Sequence, residues 1–252
     1  MKPLPDIGLT PAYQDEYTVI FQGDCLEVMK RFPPKFFETT FTSPPYNQLG
    51  SRIPQDPGGM HKGSGWTDKV SKKGYGDDMD EAAYQAWQKE CVQAMAAATS
   101  GTVWYNHKLR YRDGWPIYPT AWLGDHRIWA EIIWDRGITM ALNAGRFAPC
   151  DERIYALGKP NKFNQEMGPK MTVWQIPPER GIDGHPCPFP VLLPSWAIQA
   201  VTAIDDWVLD PFMGSGTTLR AAKDLGRRAV GIEKDPDYIK VAVQRLAQEM
   251  LL

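Results

Sequence analysis

The chain has little of what marks secreted, metal-binding or membrane proteins. Its four cysteines, Cys25, Cys91, Cys150 and Cys187, include no Cys-x-x-Cys pair, so their spacing supports neither a zinc site nor a disulfide framework. No apolar run approaches the length of a membrane span, and the first residues lack the apolar centre of a signal peptide. We therefore expect a soluble protein in the reducing environment of the cytoplasm, without a bound metal.

Net charge is also lacking. The 252 residues include 28 basic and 30 acidic side chains, and the net charge of −2 excludes a surface that is positive all round. Any contact with nucleic acid must then come from a local basic patch. Aromatic residues, by contrast, are plentiful: the ten Trp and ten Tyr could serve packing or could stack on bases.

Segments typical of strands and of helices alternate along the chain. Residues 36–43, 205–212 and 227–235 are short and apolar enough for buried strands, whereas residues 79–99 and 217–226 have helical periodicity. This alternation predicts a single α/β domain built on a largely parallel sheet.

One long stretch interrupts the alternation. Residues 47–76 are rich in Gly, Ser and Pro, lack periodicity, and carry five basic against two acidic residues. Loops of this length in compact domains are usually functional or mobile. We predict a mobile, functional loop, and a solvated loop without a partner is the alternative. Its basic residues are Arg52, Lys62, Lys69, Lys72 and Lys73.

A glycine turn follows the strand predicted at 205–212. The segment "VLDPFMGSGTTLRAA" combines a strand end, a Gly-x-Gly turn and a helix start. Gly214 and Gly216 permit positive φ angles and a close approach of the backbone to a ligand. Thr217 or Thr218 is the predicted cap of the helix.

Two further features indicate what this turn binds. A dinucleotide site would have a third glycine at position 219, where this chain has Leu219. Glu233 ends the next strand, at about the distance where an acid binds ribose hydroxyls in such units. The pattern favours a nucleoside-bearing ligand without a diphosphate, and S-adenosylmethionine fits.

A second unusual segment, "TSPPY", follows the strand predicted at 36–43. Prolines lock φ and restrict their neighbours, so they can hold a carbonyl rigidly as a hydrogen-bond acceptor. Such an acceptor, with the Ser43 hydroxyl, would draw the delocalised lone pair of an exocyclic amino group toward nucleophilic geometry, while Tyr46 offers a stacking face. An ordinary turn with a packed Tyr is the alternative.

The two segments together resemble those of the amino-DNA methyltransferases, which methylate an exocyclic nitrogen of cytosine or adenine. "TSPPY" resembles their catalytic loop and "DPFMGSGTT" their methyl-donor loop, in the order of the β arrangement, a circular permutation. The resemblance covers most of residues 17–245. It implies a doubly wound, mostly parallel, seven-stranded Rossmann-like sheet in which the two motif-bearing strands are central neighbours and both loops face one crevice.

The resemblance also implies roles for individual residues. The catalytic positions are Ser43, Pro44, Pro45 and Tyr46. Two further segments, "FQGDCLEVM" and "GHPCPFPVLLPSWAI", resemble parts of the family's donor site. With the glycine turn, they give the predicted donor-binding residues Asp24, Cys25, His185, Pro186, Asp210, Phe212, Gly214, Gly216, Thr217, Thr218 and Glu233.

Target recognition has a weaker signature. The family places a recognition region where this chain has residues 158–184, which are few and carry four basic residues, Lys170 among them, against three acidic ones. We predict a short recognition insert that contacts duplex DNA with the basic residues of 47–76. The resemblance further implies a homodimer and a prokaryotic or phage-encoded enzyme.

The target base depends on position 43. Serine there is typical of members that methylate cytosine N4, and aspartate of those that methylate adenine N6. Both bases present an amino group beside a ring-nitrogen acceptor, so adenine N6 stays open as the alternative. Methylation of RNA and a donor-binding but inactive regulator are the other two hypotheses.

Overall fold

The computed structural model describes residues 2–47, 79–112, 114–137, 147–164, 166, 168–169, 171–179 and 189–247. Within these residues, the strands are β1 Tyr13–Gln14, β2 Thr18–Gln22, β3 Thr39–Thr42, β4 Val103–His107, β5 Arg110–Arg112, β6 Trp115–Ile117, β7 Ile128–Asp135, β8 Asp151–Leu157, β9 Val173–Gln175, β10 Trp207–Asp210 and β11 Arg228–Glu233. The helices of the same residues are α1 Cys25–Met29, α2 Glu81–Ala98, α3 Leu192–Val201, α4 Thr217–Asp224 and α5 Pro236–Leu246, with a 3-10 turn at Pro119–Ala121.

One large sheet carries the domain. Its strand order is β1-β2-β11-β10-β3-β4-β8-β7-β9, and the strands from β2 to β4 in this order are all parallel. Strand β8 runs antiparallel to both β4 and β7. The seven strands from β2 to β7 form the expected sheet, and the short β1 and β9 extend its two edges.

The two strands that precede the conspicuous motifs are neighbours. Strands β3 and β10 pair in parallel, with Thr39 opposite Val208 and Thr40 opposite Leu209, although about 170 residues separate them in sequence. The prediction of central neighbours is therefore confirmed. Because parallel strands end at the same sheet edge, the Pro-Pro-Tyr and glycine loops start side by side.

Helices cover both faces of this sheet. Leu209 packs in one hydrophobic cluster, with residues of α1 and α2, whereas its neighbour Val208 packs in another, with residues of α4 and α5. A third cluster joins α3 to β4 and β8. Successive side chains of a strand point to opposite faces of the sheet, and here both faces are buried under helices, as a doubly wound sheet requires.

Several elements differ from the sequence predictions in extent. Helix α3 spans Leu192–Val201 and includes Pro194 in its first turn. The β5–β6 hairpin, which pairs Arg110 with Ile117, was not predicted. None of the described helices is long and apolar enough to cross a membrane.

Candidate active site

A hydrogen bond joins the bases of the two loops. The Thr42 hydroxyl, at the end of β3, donates to Asp210 Oδ1, at the end of β10, over 2.7 Å. The Pro-Pro-Tyr loop follows Thr42 directly, and the glycine loop follows Asp210. The structure therefore brings the two predicted halves of the site together at one edge of the sheet.

The inner side of the Pro-Pro-Tyr loop is held by helix α2. The Pro45 carbonyl accepts hydrogen bonds from Tyr84 Oη (2.7 Å) and Gln88 Nε2 (3.3 Å), which lie one turn apart on that helix. Within the described part of the chain, no hydrogen bond reaches the Pro44 carbonyl. The second proline is thus anchored to the protein, and the first carbonyl stays available as an acceptor.

A buried histidine lies behind this anchor. His107 Nε2 is 2.7 Å from Tyr84 Oη, and His107 Nδ1 is 2.7 Å from the Lys108 carbonyl oxygen. Burial lowers the pKa of His107 to about 3, although the hydrogen bond to Lys108 opposes the shift. The imidazole is therefore neutral at pH 7 and acts as part of the support for the loop.

Tyr46 is fixed through its hydroxyl group. Tyr46 Oη lies 2.6 Å from Ser43 Oγ and 3.1 Å from Glu152 Oε2, and Asn106 Nδ2 donates to it over 3.1 Å. Burial, reinforced by the negative charge of Glu152, raises the pKa of Tyr46 well above its usual value, so the phenol stays protonated.

The Tyr46 ring is only partly exposed. Its centroid lies 4.6 Å from that of the His107 ring, and Lys108 Nζ lies 5.5 Å from the same centroid. A base that stacks on Tyr46, as predicted, must use the part of the ring that His107 and Lys108 do not cover.

Two residues of this cluster, Asn106 and Glu152, were missed by the sequence analysis. Asn106 lies near the carboxyl end of β4, at the crevice. Glu152 is the second residue of β8, and β8 starts at the same edge of the sheet because it runs antiparallel to β4. Asn106 Nδ2 donates to Glu152 Oε2 over 3.2 Å, and Arg136 pairs with Glu152 Oε1 over 3.3 Å. The only signal in the sequence is an acid at the start of a strand, which does not reveal its direction in the sheet.

The glycine loop has the backbone conformation that its sequence predicts. Gly214 and Gly216 have φ angles of 49° and 77°. A Cβ atom at Gly216 would lie only 3.0 Å from the Ala242 Cβ of helix α5. Both the angle and this close approach require glycine at position 216.

The predicted threonine cap is wrong. Gly216 itself is the N-cap of α4, and no side chain caps the helix. Thr217 Oγ1 instead accepts from Arg245 Nη1 over 2.8 Å, and Thr218 Oγ1 donates to the Phe41 carbonyl over 3.5 Å. Both side chains are buried and tie α4 to its surroundings, and the left-handed Gly216 occupies the cap position that the prediction gave to a threonine.

Asp210 is a buried carboxylate with one unused oxygen. Its Oδ1 accepts from Thr42 and from the Phe212 amide (3.1 Å), whereas Oδ2 has no hydrogen-bond partner among the described residues. Burial raises the pKa of Asp210 to about 6, although its hydrogen bonds oppose the shift. An unsatisfied carboxylate oxygen is costly to bury and favours a cationic or hydrogen-bond-donating ligand.

Glu233 closes the other side of the glycine loop. Its Oε2 accepts from the Gly214 amide over 3.0 Å, and its Oε1 accepts from the amides of Lys234 and Asp235, each over 2.8 Å. Burial raises the pKa of Glu233 above its usual value, against the effect of these hydrogen bonds.

The segment that contains Asp24 lies beside Glu233. The Gly23 amide donates to the Glu233 carbonyl oxygen over 3.0 Å. The Asp24 side chain is exposed and caps helix α1, accepting from the Leu26 and Glu27 amides. Asp24 is therefore near the predicted donor site, and its carboxylate also has a structural task.

Two other predicted donor residues contribute differently. The Cys25 side chain is buried, with its Sγ 4.0 Å from Cys91 Sγ, so it faces the core. The Phe212 ring is partly buried and lies 5.6 Å from the Trp87 ring. Any contact of Cys25 with a ligand must come from its backbone.

The remaining predicted site residues lie outside the described residues. These are Arg52, Lys62, Lys69, Lys72, Lys73, Lys170, His185 and Pro186. In the described part of the predicted insert 158–184, Lys162 pairs with Asp206 over 2.9 Å, and Asn164 Nδ2 donates to carbonyls at the end of α3. This part of the insert is attached to the body of the domain.

Comparison with known proteins agrees with this geometry. Residues 37–244 match the N6/N4 methylase family, described as DNA methylase. The type II methyltransferase M.ScaI of Streptomyces caespitosus is 28% identical, over 95% of this chain and 84% of the relative.

Two solved structures have the same fold. The cytosine-N4-specific PvuII DNA methyltransferase superposes with a TM-score of 0.73 at 18% identity, covering 97% of this chain and 92% of that one. The M1.HpyAVI–SAM complex superposes with a TM-score of 0.62 at 22% identity, covering 91% of this chain and 100% of that one. Because the family match covers most of the sequence, this chain belongs to the N6/N4 DNA methylase family and is an amino-DNA methyltransferase.

Proposed function

We propose that this chain transfers a methyl group from S-adenosylmethionine to the exocyclic N4 of cytosine in duplex DNA, at a specific site and after flipping the base out of the helix. The observation that carries the choice of base is Ser43 at the head of the Pro-Pro-Tyr loop, where cytosine-N4 enzymes typically have serine. Its hydroxyl is held by Tyr46, next to a Pro44 carbonyl that points to no described partner.

The donor loop fits S-adenosylmethionine. Asp210 offers a buried, unpaired oxygen to a cationic ligand, Gly214 and Gly216 give the loop its tight left-handed turn, and Glu233 supplies a carboxylate for ribose hydroxyls. A relative with this fold forms a complex with the same molecule. When bound, S-adenosylmethionine supplies an electrophilic methyl group on a positively charged sulfur.

The Pro-Pro-Tyr loop prepares the nucleophile. Ser43 Oγ and the Pro44 carbonyl accept hydrogen bonds from the amino group of the base, which localises its lone pair on nitrogen. The anchors from Tyr84 and Gln88 to Pro45 keep these acceptors in place, so that little reorganisation is needed. Positioning supplies most of the rate in such an in-line transfer.

Duplex DNA is the proposed substrate partner. The flipped base stacks on the accessible part of Tyr46. The basic residues of 47–76 and Lys170 contact phosphates, and residues 158–184 contribute to recognition.

Nucleoside analysis tests this proposal. The protein is incubated with S-adenosylmethionine carrying a labelled methyl group and with duplex DNA of varied sequence, and the digested nucleosides are identified by mass spectrometry. We expect N4-methylcytosine. Labelled N6-methyladenine without N4-methylcytosine would overturn the choice of base, and label in RNA but not in DNA would overturn the substrate class.

A further inference from the structure

Glu152 is a buried carboxylate that neither motif contains. It is 8% exposed, lies on β8, and is more than 100 residues from Tyr46 in sequence. A charged group is buried at this level only when it is paired and hydrogen-bonded. Glu152 meets this condition through Arg136 on one oxygen, and through Tyr46 and Asn106 on the other.

These contacts fix the direction of a chain of hydrogen bonds. One carboxylate oxygen of Glu152 forms an ion pair with Arg136, and the other accepts a hydrogen bond that the Tyr46 hydroxyl donates. The Tyr46 hydroxyl has a single proton, and its oxygen must therefore accept from Ser43 over the 2.6 Å contact. Ser43 consequently directs its proton to Tyr46, and its oxygen remains an acceptor toward the crevice.

Asn106 supports the same direction. Its Nδ2 can only donate, and it lies within hydrogen-bond distance of Tyr46 Oη (3.1 Å), Glu152 Oε2 (3.2 Å) and Ser43 Oγ (3.4 Å), so these three oxygens act as acceptors toward it. Its Oδ1 is buried and has no hydrogen-bond partner among the described residues, which leaves a second acceptor beside Ser43.

We infer that Glu152 is a positioning residue for methyl transfer, which sets Ser43 as an acceptor through Tyr46 and receives the proton that the methylated amino group must lose. This inference rests on the proposed function, because it assumes an amino group at Ser43. It does not depend on whether cytosine or adenine provides that group.

The proton transfer balances along the chain. After methylation, the nitrogen carries a positive charge and one surplus proton, which passes to Ser43 Oγ. The proton of Ser43 passes to Tyr46 Oη, and the proton of Tyr46 passes to Glu152 Oε2. Ser43 and Tyr46 end with one proton each, the nitrogen is neutral, and Glu152 is protonated. The raised pKa of Tyr46 agrees with a phenol that relays a proton without ionising at rest.

Glu152→Gln tests the direction of the chain. The carboxamide keeps the size of the side chain but donates to Tyr46, which reverses both bonds and points the Ser43 proton at the amino group. We expect the single-turnover rate with saturating donor and DNA to fall roughly 10²-fold, the scale of a lost proton acceptor. The dissociation constants of donor and DNA should change by no more than about twofold, since Glu152 is buried and acts through Tyr46 in the proposed relay.

Glu131→Gln is the matched control. Glu131 lies on the neighbouring strand β7 and pairs with Arg153 over 3.1 Å, outside the Ser43 cluster. Glu131→Gln makes the same chemical change outside the relay, and the single-turnover rate of this variant should equal that of the wild type.

Tyr46→Phe provides a second variant that keeps the ring and removes only the relay hydroxyl. We expect its single-turnover rate to fall by a similar factor to that of Glu152→Gln. The rate of the double variant should lie within about twofold of the slower single variant, because the two residues act as one unit. A Glu152→Gln rate within about twofold of wild type, or losses that multiply in the double variant, would overturn the inference.

Total methyl label in DNA is counted in every case. Methylation of adenine would refute the proposed base but leave this test intact, whereas a wild type that labels no DNA would refute the proposed function itself.

Discussion

The two loops at the edge of the sheet are built by different means. The glycine loop is shaped by its own backbone and by the adjacent strand: Gly214 and Gly216 have positive φ, and Glu233 binds the Gly214 amide. The Pro-Pro-Tyr loop is held from a distance, by Tyr84 of α2 and by Glu152 of β8.

This difference separates two tasks. The glycine loop leaves a buried carboxylate oxygen of Asp210 unpaired, as a ligand site should, whereas the Ser43 and Tyr46 hydroxyls of the Pro-Pro-Tyr loop are tied into a network. Donor binding should therefore respond to changes in the first loop, and methyl transfer to changes in the second. The Thr42–Asp210 hydrogen bond is a direct link between the bases of the two loops.

The largest expected effect separates the tasks completely. Tyr46→Ala removes the stacking face and the partner of Ser43, so we expect turnover to fall on the order of 10³-fold, since stacking alone is worth about 1–3 kcal/mol per base. Donor affinity, measured by calorimetry, should stay unchanged because the glycine loop is untouched. If donor affinity collapses with turnover, the division between the loops is wrong.

Asp210→Asn sharpens the comparison from the donor side. Because the pKa of Asp210 is raised to about 6 in the fold, the ionised form destabilises the donor-free protein. The stabilising contribution of the protonated form is complete below about pH 4 and is lost as the pH rises to about 6. This shift in the pKa of Asp210 corresponds to about 3 kcal/mol in the free energy of unfolding.

Denaturant unfolding at several pH values, without donor, measures this effect. The variant should gain stability relative to wild type between pH 4 and pH 6, and should bind the cationic donor more weakly than wild type above pH 6. A difference in unfolding free energy that does not vary with pH would refute a protonated Asp210.

Gly216→Ala should damage the donor loop and spare the other. The added Cβ meets Ala242 at 3.0 Å, and the φ of 77° disfavours alanine, so we expect a stability loss of about 1–3 kcal/mol. Donor affinity should weaken roughly tenfold, or about 1.4 kcal/mol.

Gly226→Ala is the control for this substitution. Gly226 also has a positive φ, of 69°, but the nearest atom to its Cβ would be 3.8 Å away, and it lies after α4, at the end opposite the glycine loop. It should lose some stability and keep its donor affinity. Equal losses of donor affinity in both variants would show that strain alone, and not the loop, is responsible.

The smallest effect concerns the anchor of Pro45. Tyr84→Phe removes the hydroxyl that donates to the Pro45 carbonyl, while Gln88 still donates to it. The same hydroxyl lies 2.7 Å from the buried His107 Nε2, so we expect about 1–3 kcal/mol of lost stability. Turnover should drop only a few fold, because Gln88 keeps its hydrogen bond to Pro45. A loss as large as that of Tyr46→Ala would mean that the anchor, not the aromatic face, controls the loop.

The sequence predicted the conformation of the glycine loop better than the support of the Pro-Pro-Tyr loop. Glycines, a strand end and a helix start are local features, so Gly214, Gly216 and Glu233 could be identified from spacing. The fold followed from the alternation of elements and from the order of the motifs.

The support of the catalytic loop could not be predicted in the same way. Glu152 and Asn106 come from strands whose direction and neighbours only the sheet reveals, since β8 is antiparallel and inserted beside β4. The threonine cap failed for a related reason: a left-handed Gly216 took the cap position, and both hydroxyls turned to distant partners.

The most direct test of the central claim is a pair of readings on Ser43→Ala. With the donor bound in advance, we predict that single-turnover methyl transfer to duplex DNA falls at least about 10²-fold, the range of a lost acceptor at the reacting group. The donor dissociation constant should stay within about twofold of wild type. Transfer at the wild-type rate, or a loss fully explained by weaker donor binding, would contradict the assignment of Ser43 as the group that holds the amino nitrogen.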